Sequence, residues 1–389
     1  MRKQRIEDRA KALVEQGAFS GIEWLIHRGD EPWARGRAGQ LDAVAGTPMP
    51  EKPLYRIYSM TKPIVSVAAL MLMERLKLRL FDPVAAYLPK FAQKQVLDPD
   101  GTTRQMRGMM IIEHLLTHRA GLSYGFLIDC PVGQRYTELD IMSGSVSLAE
   151  MIDTIADEPL AFDPGTNWRY SVATDVVARV LEVIEGKPIA AILKELIFDP
   201  LGMTDTGFMV PESERHRVMG MFGEGDLNRI MIFAPPPQTL RPADVSKTYP
   251  TDNPDFGRGG HGLFSTLDDY MKFVRLLKTG CAPNGDRLLS RKTMQMIARN
   301  RIQPEIMPIA IGPLVLAGYG YGLTGRVMLD TGAVYGLTSQ GEWGWAGAAS
   351  TYFWVDPEED VEGVVMSQYL GSIIPLGDDI RVAAYQALD

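Results

Sequence analysis

Hydrophobic and polar positions follow one rhythm near the two ends of this chain and another between them. Charges spread through Met1–Gly17 in an amphipathic helix pattern. Gly21–Arg28 and Trp33–Ala38 read as strands on either side of the turn His27–Pro32, and Leu54–Tyr58 reads as a short strand running into Ser59. Pro63–Met73 is apolar nearly all round, which predicts a buried helix reaching to about Leu76. A short helix is expected over Asp82–Leu88, then a polar, irregular stretch from about Phe91 to Met110. Helical periodicity dominates the middle: Ile111–His118, ended by Ala120-Gly121; Ser147–Asp157, with Ser147 and Glu150 spaced as a capping box; Ser171–Glu185, closed by Gly186; and Ile189–Ile197. Residues 210–254, rich in Pro, Gly, Met and charge, read as a long excursion with little regular structure. Further helices are expected over Ser265–Thr279, capped by Ser265 or Thr266, and within Arg287–Asn300. Strand alternation then returns at Arg326–Asp330, Val334–Thr338, Thr351–Val355 and Val361–Ser367, before a closing helix over Asp378–Leu388.

Strands at both ends with helices between predict an α/β (α+β) protein: a discontinuous sheet domain, residues 1–90 and 255–389, interrupted by a mainly helical insertion, 91–254. With 389 residues, 46% of them hydrophobic, the chain can bury a large core. The net charge of -8 without a basic run excludes nucleic acid and anionic membrane as expected partners. No apolar stretch reaches membrane-spanning length, and the N-terminus lacks the apolar run of a signal peptide, so a cytoplasmic location is expected. Cys130 and Cys281 stand in no metal or redox spacing and read as free thiols.

The chemistry concentrates at Ser59-Met60-Thr61-Lys62. Three residues apart on a helix, the hydroxyl and the amine are neighbours. A serine attacks only when a base takes its proton, and a lysine can be that base when burial destabilises its ammonium. At the mouth of a buried helix, free N–H groups also favour an oxyanion at Ser59. An N-cap serine followed by an ordinary lysine would give the same tetrapeptide. A cation in the first turn, however, opposes the helix dipole, and that cost points to a catalytic use. Tyr170, in Asn167–Ser171 at the start of a helix, is a second candidate; beside a cationic lysine its phenol should be lowered, fitting it as base and then acid. A half-buried structural tyrosine is the simpler alternative. Trp345-Ala346-Gly347-Ala348 leads into a strand whose small residues permit close approach of a ligand, or form a bulge.

Together these pieces resemble the serine hydrolases of the class C beta-lactamase-like group, most nearly the family VIII carboxylesterases. Linking stretches match as well: Leu115-Leu116-Thr117-His118-Arg119-Ala120-Gly121-Leu122, Pro164-Gly165-Thr166 before Trp168, Phe198-Asp199-Pro200-Leu201-Gly202-Met203 and Gly262-Leu263-Phe264-Ser265-Thr266. The resemblance runs from about Phe19 to the C-terminus. It implies a beta-lactamase/penicillin-binding-protein-like fold, an antiparallel sheet flanked by helices plus a mostly helical second lobe. It also implies Ser59 as acylated nucleophile, Lys62 and Tyr170 sharing the proton transfers, and the backbone N–H groups of Ser59 and Ala348 as oxyanion hole. Trp345 and Gly347 would border the substrate, with Tyr124 a further pocket residue. Aromatic and methionine residues of 210–254 are candidates for the pocket wall. Two departures bear on substrate: Val172 stands where lactamases carry an asparagine, and Trp345 where they carry a cation. Both favour a small neutral ester over a penicillin. No metal or organic cofactor is implied. A beta-lactamase, a D-amino peptidase, an acyltransferase or a catalytically silent binding member of the fold remain alternatives, and the oligomeric state is open.

Other motifs read as decoys. Gly121-Leu122-Ser123-Tyr124-Gly125 has the spacing of a nucleophile elbow but lacks a preceding strand. His114 and His118 share a helix face without an acidic companion, and His261 sits among glycines that suit a turn. Twenty-one methionines point to adaptable packing.

Overall fold

The computed structural model describes residues 2–231, 240–334 and 336–388. Strands from both ends of the chain form one seven-stranded antiparallel sheet. They are β1 (Gly21–Arg28), β2 (Glu31–Gly39), β3 (Tyr319–Tyr321), β4 (Arg326–Met328), β5 (Trp343–Gly347), β6 (Thr351–Asp356) and β7 (Val361–Met366), in the order β3-β4-β5-β6-β7-β1-β2. The N-terminal hairpin joins the C-terminal meander through β1 and β7, with Leu25 opposite Val364. The longer helices are α1 (Gln4–Glu15), α2 (Thr61–Glu74), α3 (Leu148–Asp157), α4 (Ala173–Glu185), α5 (Leu267–Thr279) and α6 (Leu376–Tyr385).

Both faces of the sheet are covered, and the period-two alternation of a strand sorts its residues between them. Trp24, Ile26, Tyr352, Trp354 and Val365 pack with Ile6 and Leu13 of α1 and Ile380 of α6. Their neighbours Leu25, Phe353, Val355 and Val364 face the other way, into a core shared with Tyr270 of α5 and Ile64, Val65 and Ala68 of α2. Burial on both faces explains why β1, β6 and β7 read as nearly continuous apolar runs. The second core extends into the helical region through Ile152, Val177 and Leu181.

Local signals set the helix ends. Ser147 and Glu150 form the reciprocal capping box, Thr266 rather than Ser265 caps α5, and Gly186 ends α4 in the left-handed conformation, φ 63°. Elsewhere the structure departs from the expectations. The strand over Leu54–Tyr58 forms a ladder at Tyr55–Arg56, with a single bridge from Leu54 to Val218, and ends where the chain turns at Tyr58, φ 44°, to present Ser59. The stretch expected to be irregular holds a hairpin of Gln95–Leu97 with Thr103–Gln105. Asp82–Leu88 supplies only a short turn at Val84–Ala86, and Ile189–Leu193 passes into a wider turn over Lys194–Phe198. An unanticipated helix, Pro131–Glu138, starts on its proline. The strand expected over Val334–Thr338 includes residue 335, outside the described residues. The described remainder contains no strand, and a turn at Thr331–Ala333 precedes it. The excursion at 210–254 has little regular structure yet is packed, with Val210, Met221 and Tyr249 buried; its residues 232–239 lie outside the described set.

Candidate active site

The site is built where the strand–turn–helix segment around Ser59 meets the entry to α4 and the end of β5. Ile57 N–H bonds the carbonyl of Leu263 at 3.0 Å, and the chain then turns at Tyr58. A left-handed conformation is costly for a bulky residue and persists only where packing enforces it. Here the ring is buried 4.8 Å from that of Tyr249. Ser59 follows, half-buried, on the turn that opens α2.

Lys62 is 1% exposed. Its Nζ lies 3.0 Å from Ser59 Oγ and donates to the carbonyl of Gly260 at 2.7 Å. Among the described residues no carboxylate lies within ion-pair distance of it. Burial therefore lowers its pKa to about 7, against a weaker upward pull from Asp175. A substantial fraction of the amine is neutral at physiological pH.

Tyr170 comes from a segment pinned from several sides. Arg169 N–H bonds the His118 carbonyl at 2.9 Å, and the Arg169 side chain donates to Ser123 Oγ at 2.9 Å and Asp129 at 2.6 Å. The Tyr170 hydroxyl lies 2.6 Å from Ser59 Oγ. One structural detail overturns the expected chemistry of this phenol. Burial raises its pKa, and the hydrogen bond with Ser59 offsets this only in part. The amine, 4.7 Å from the ring centroid, is the group whose pKa falls.

Trp345 on β5 is buried, its ring 5.5 Å from Tyr170 and edge-on to Tyr321 at 5.1 Å. Gly347 ends β5 where a Cβ would overlap the Ile57 carbonyl, so the absence of a side chain lets the strand press against the serine turn. Ala348, half-buried, follows directly. Tyr124 stacks on Phe126 at 4.7 Å and stands 5.2 Å from Tyr170 and 5.1 Å from Lys62 Nζ. The candidates from distant parts of the sequence thus surround one hydroxyl.

The wall residues of the excursion pack together. Tyr249 lies against Tyr58, and both share one cluster with Leu227, Ile230, Met231, Phe126 and Ala348. Phe233 lies outside the described residues. Ser123 is fully buried and bonded to Arg169 and the Tyr124 carbonyl, a role in holding the turn. His118 Nδ1 lies 3.2 Å from Ser171 Oγ, and the ring packs 4.8 Å from Tyr170; burial, reinforced by Lys62, keeps it neutral. His261 packs against Phe256 and Tyr249. Among the described residues no group of His, Cys, Asp or Glu could hold a metal ion, and no helix is long and apolar enough to cross a membrane.

Sequence reasoning missed Tyr58, Gly260, Tyr321 and Asp175. Nothing local marks a strained tyrosine. Asp175 is a polar position on a helix whose remaining first-turn residues are also buried, a signal available only in retrospect.

A half-buried serine at a helix mouth with a desolvated lysine and a phenol on its oxygen defines a hydroxyl poised for acyl chemistry. The comparisons agree on the class. The Beta-lactamase family model matches residues 6–387. Esterase EstB of Burkholderia gladioli is 31% identical over 389 residues, covering 96% of this chain and 93% of that protein. In structure, EstCE1, described as a hydrolase with promiscuous acyltransferase activity, superposes with a TM-score of 0.83 at 23% identity, covering 98% of each chain. A penicillin-binding protein homologue from Caulobacter crescentus gives 0.71 at 17%, covering 99% of this chain and 97% of that one. The chain belongs to the beta-lactamase family of serine hydrolases, with the beta-lactamase/penicillin-binding-protein-like fold expected from its motifs.

Proposed function

We propose that this protein is a serine carboxylesterase that cleaves short-chain esters through an acyl-enzyme on Ser59. The observation that carries the reading is the buried amine of Lys62, 3.0 Å from the Ser59 hydroxyl and without a contacting carboxylate among the described residues. In its neutral form Lys62 accepts the Ser59 proton as Oγ attacks the ester carbonyl. Backbone N–H groups of Ser59 and Ala348 receive the developing oxyanion. Tyr170, protonated and in contact with Oγ, passes a proton to the departing alcohol and is replenished from Lys62. Water then attacks the acyl-enzyme with the same groups acting in reverse. Trp345, Gly347 and Tyr124 border the substrate. The absence of a cation at Trp345 and of an amide at Val172 favours a neutral ester over a lactam.

Acyl transfer to an alcohol or amine is the second reading. The rings of His118, Trp168, Tyr321 and Trp345 pack around Tyr170, whose hydroxyl meets the serine. An apolar surround of this kind disfavours water relative to an organic acceptor. The structural neighbour EstCE1 is described as having promiscuous acyltransferase activity.

The test is a panel of p-nitrophenyl esters and a chromogenic cephalosporin, run with and without an added alcohol on wild type, Ser59→Ala and Ser123→Ala. Ester turnover abolished only in Ser59→Ala, with slow or no cephalosporin turnover, is the expected result. Faster cephalosporin than ester turnover would replace the esterase by a lactamase. Failure of a fluorophosphonate to label Ser59 would reduce the protein to a binding member of the fold.

A further inference from the structure

Lys62 is held in place by a carbonyl, and that carbonyl belongs to a loop with almost no side chains of its own. Gly257-Arg258-Gly259-Gly260 runs past the first turn of α4 so closely that a Cβ on Gly259 would overlap the Thr174 carbonyl. A Cβ on Gly260 would press on both Asp175 Oδ2 and the Tyr124 hydroxyl. Such a loop is fixed only by what grips its backbone. Asp175 is fully buried, and its Oδ1 accepts from Gly259 N–H at 2.8 Å and Gly260 N–H at 2.9 Å. The carbonyl of that same Gly260 accepts from Lys62 Nζ at 2.7 Å. Arg258, also fully buried, anchors the other end of the loop, donating to the carbonyls of Gly257, Ser143 and Val146, each at 2.8 Å. The second Asp175 oxygen, Oδ2, is buried and has no hydrogen-bond partner among the described residues.

We propose that Asp175 is a positioning residue for the Ser59 chemistry: it clamps the Gly259-Gly260 backbone, sets the carbonyl on which the Lys62 amine is oriented, and supplies the negative charge that acts on that amine. The inference rests on the reading of Lys62 as the base. A carboxylate is the group that can do both tasks at once. Two N–H donors on one oxygen fix the backbone, and the net charge reaches the amine through a low-dielectric interior. Facing Lys62 from the surrounding elements are Ser59, Tyr170, Tyr124, His118, His261 and Asp175, with Arg258 bearing on Asp175 from beyond the loop. Of these Asp175 is the one acidic side chain. Burial raises its own carboxyl, while the Gly260 N–H, Lys62 and Arg258 pull it back towards the charged form.

The test compares Asp175→Asn and Asp175→Ala in the full-length protein, reading kcat/KM for p-nitrophenyl butyrate against pH. The asparagine keeps an oxygen for the two glycine N–H groups and loses the charge. Its acid limb should move to lower pH by about one unit, with the plateau within about tenfold of wild type. The alanine loses the clamp as well, and its plateau should fall on the order of 100-fold. Folded Asn and Ala variants that keep the wild-type limb and plateau would overturn the proposal. Should these variants not fold, carbon-13 NMR of the wild type decides it. The Asp175 carboxyl signal should inflect at the pH where the Lys62 side chain titrates, and a flat Asp175 signal through that pH overturns the coupling. Failure of the underlying reading has a separate signature, an active Ser59→Ala protein, which leaves the NMR coupling untouched.

Discussion

Two regions of this molecule bury cations in opposite ways. At the sheet, Arg275 and Lys278 of α5 reach across to Glu362 of β7, at 2.5 and 2.8 Å, and Lys278 adds Asp360 at 2.7 Å. Behind β5, Arg381 of α6 meets Glu342 and, at 3.1 Å, Asp378. Burial would lower Lys278, but the hydrogen bonds and charges of Asp360 and Glu362 outweigh it and hold the ammonium above its ordinary pKa. In the cleft, Lys62 meets a hydroxyl and a carbonyl instead, and burial prevails. The sheet uses paired charge to fix helices against strands, while the cleft withholds a contacting carboxylate so that an amine can accept a proton. Withholding it lowers stability, as expected of a site shaped for chemistry.

Removing the amine gives the largest effect. Lys62→Met should cut ester kcat/KM by roughly 10³–10⁴-fold and at the same time stabilise the fold. The sign follows from proton counting. With a folded pKa of about 7 against an ordinary 10.5, the unfolded chain binds more protons between those values. Wild-type stability attributable to Lys62 therefore rises with pH across that window. The stability advantage of the Met variant should be greatest below about pH 7 and close towards pH 10.5, as denaturant midpoints at several pH values would reveal. For the wild type, kcat/KM should rise with pH through about 7. A pH-independent stability gap would mean that Lys62 keeps its ordinary pKa in the fold and erase the contrast. Glu342→Ala, just before β5 of the sheet, should do the reverse. Leaving Arg381 buried without this partner should cost about 3–5 kcal/mol in chemical denaturation, with ester turnover of the folded fraction unchanged.

Tyr170→Phe should come next, lowering kcat/KM by on the order of 100-fold while Ser59 still reacts with a fluorophosphonate. The variant probes a point that sequence alone read backwards. The tetrapeptide at Ser59–Lys62, the tyrosine before α4 and the glycine after Trp345 were legible because each sits at the end of a strongly patterned element. Strands β1, β6 and β7 also stood out, since they are apolar on both faces. What sequence could not supply is relative burial. The direction of the Tyr170 shift depends on whether desolvation of the phenol exceeds the field of a lysine, and that lysine is itself partly neutral. Short pairings such as Gln95–Leu97 with Thr103–Gln105 were invisible for a related reason: three-residue strands carry too few positions for a period to show. Asp175 escaped notice because its partners are backbone N–H groups more than eighty positions away.

The smallest effect is the sharpest control, because it separates a lowered pKa from a catalytic one. Lys94 is also buried and, among the described residues, also lacks a carboxylate contact. Its Nζ donates to the carbonyls of Ile155 at 3.0 Å, Ala156 at 2.6 Å and Glu158, the unsatisfied end of α3. Burial lowers its pKa to about 8, against weaker pulls from Asp157 and Glu158. By titration alone Lys94 resembles Lys62, yet its described side-chain bonds run to carbonyls and none to a hydroxyl. It caps a helix whose last C=O groups need donors and whose dipole favours a cation there. Lys94→Met should therefore leave ester kcat/KM within about twofold of wild type. Both Met substitutions remove a desolvated ammonium, and only the one beside Ser59 would reach the chemistry. Loss of turnover in the Lys94 variant at unchanged stability would show that desolvation, and not contact with the hydroxyl, is the property that matters.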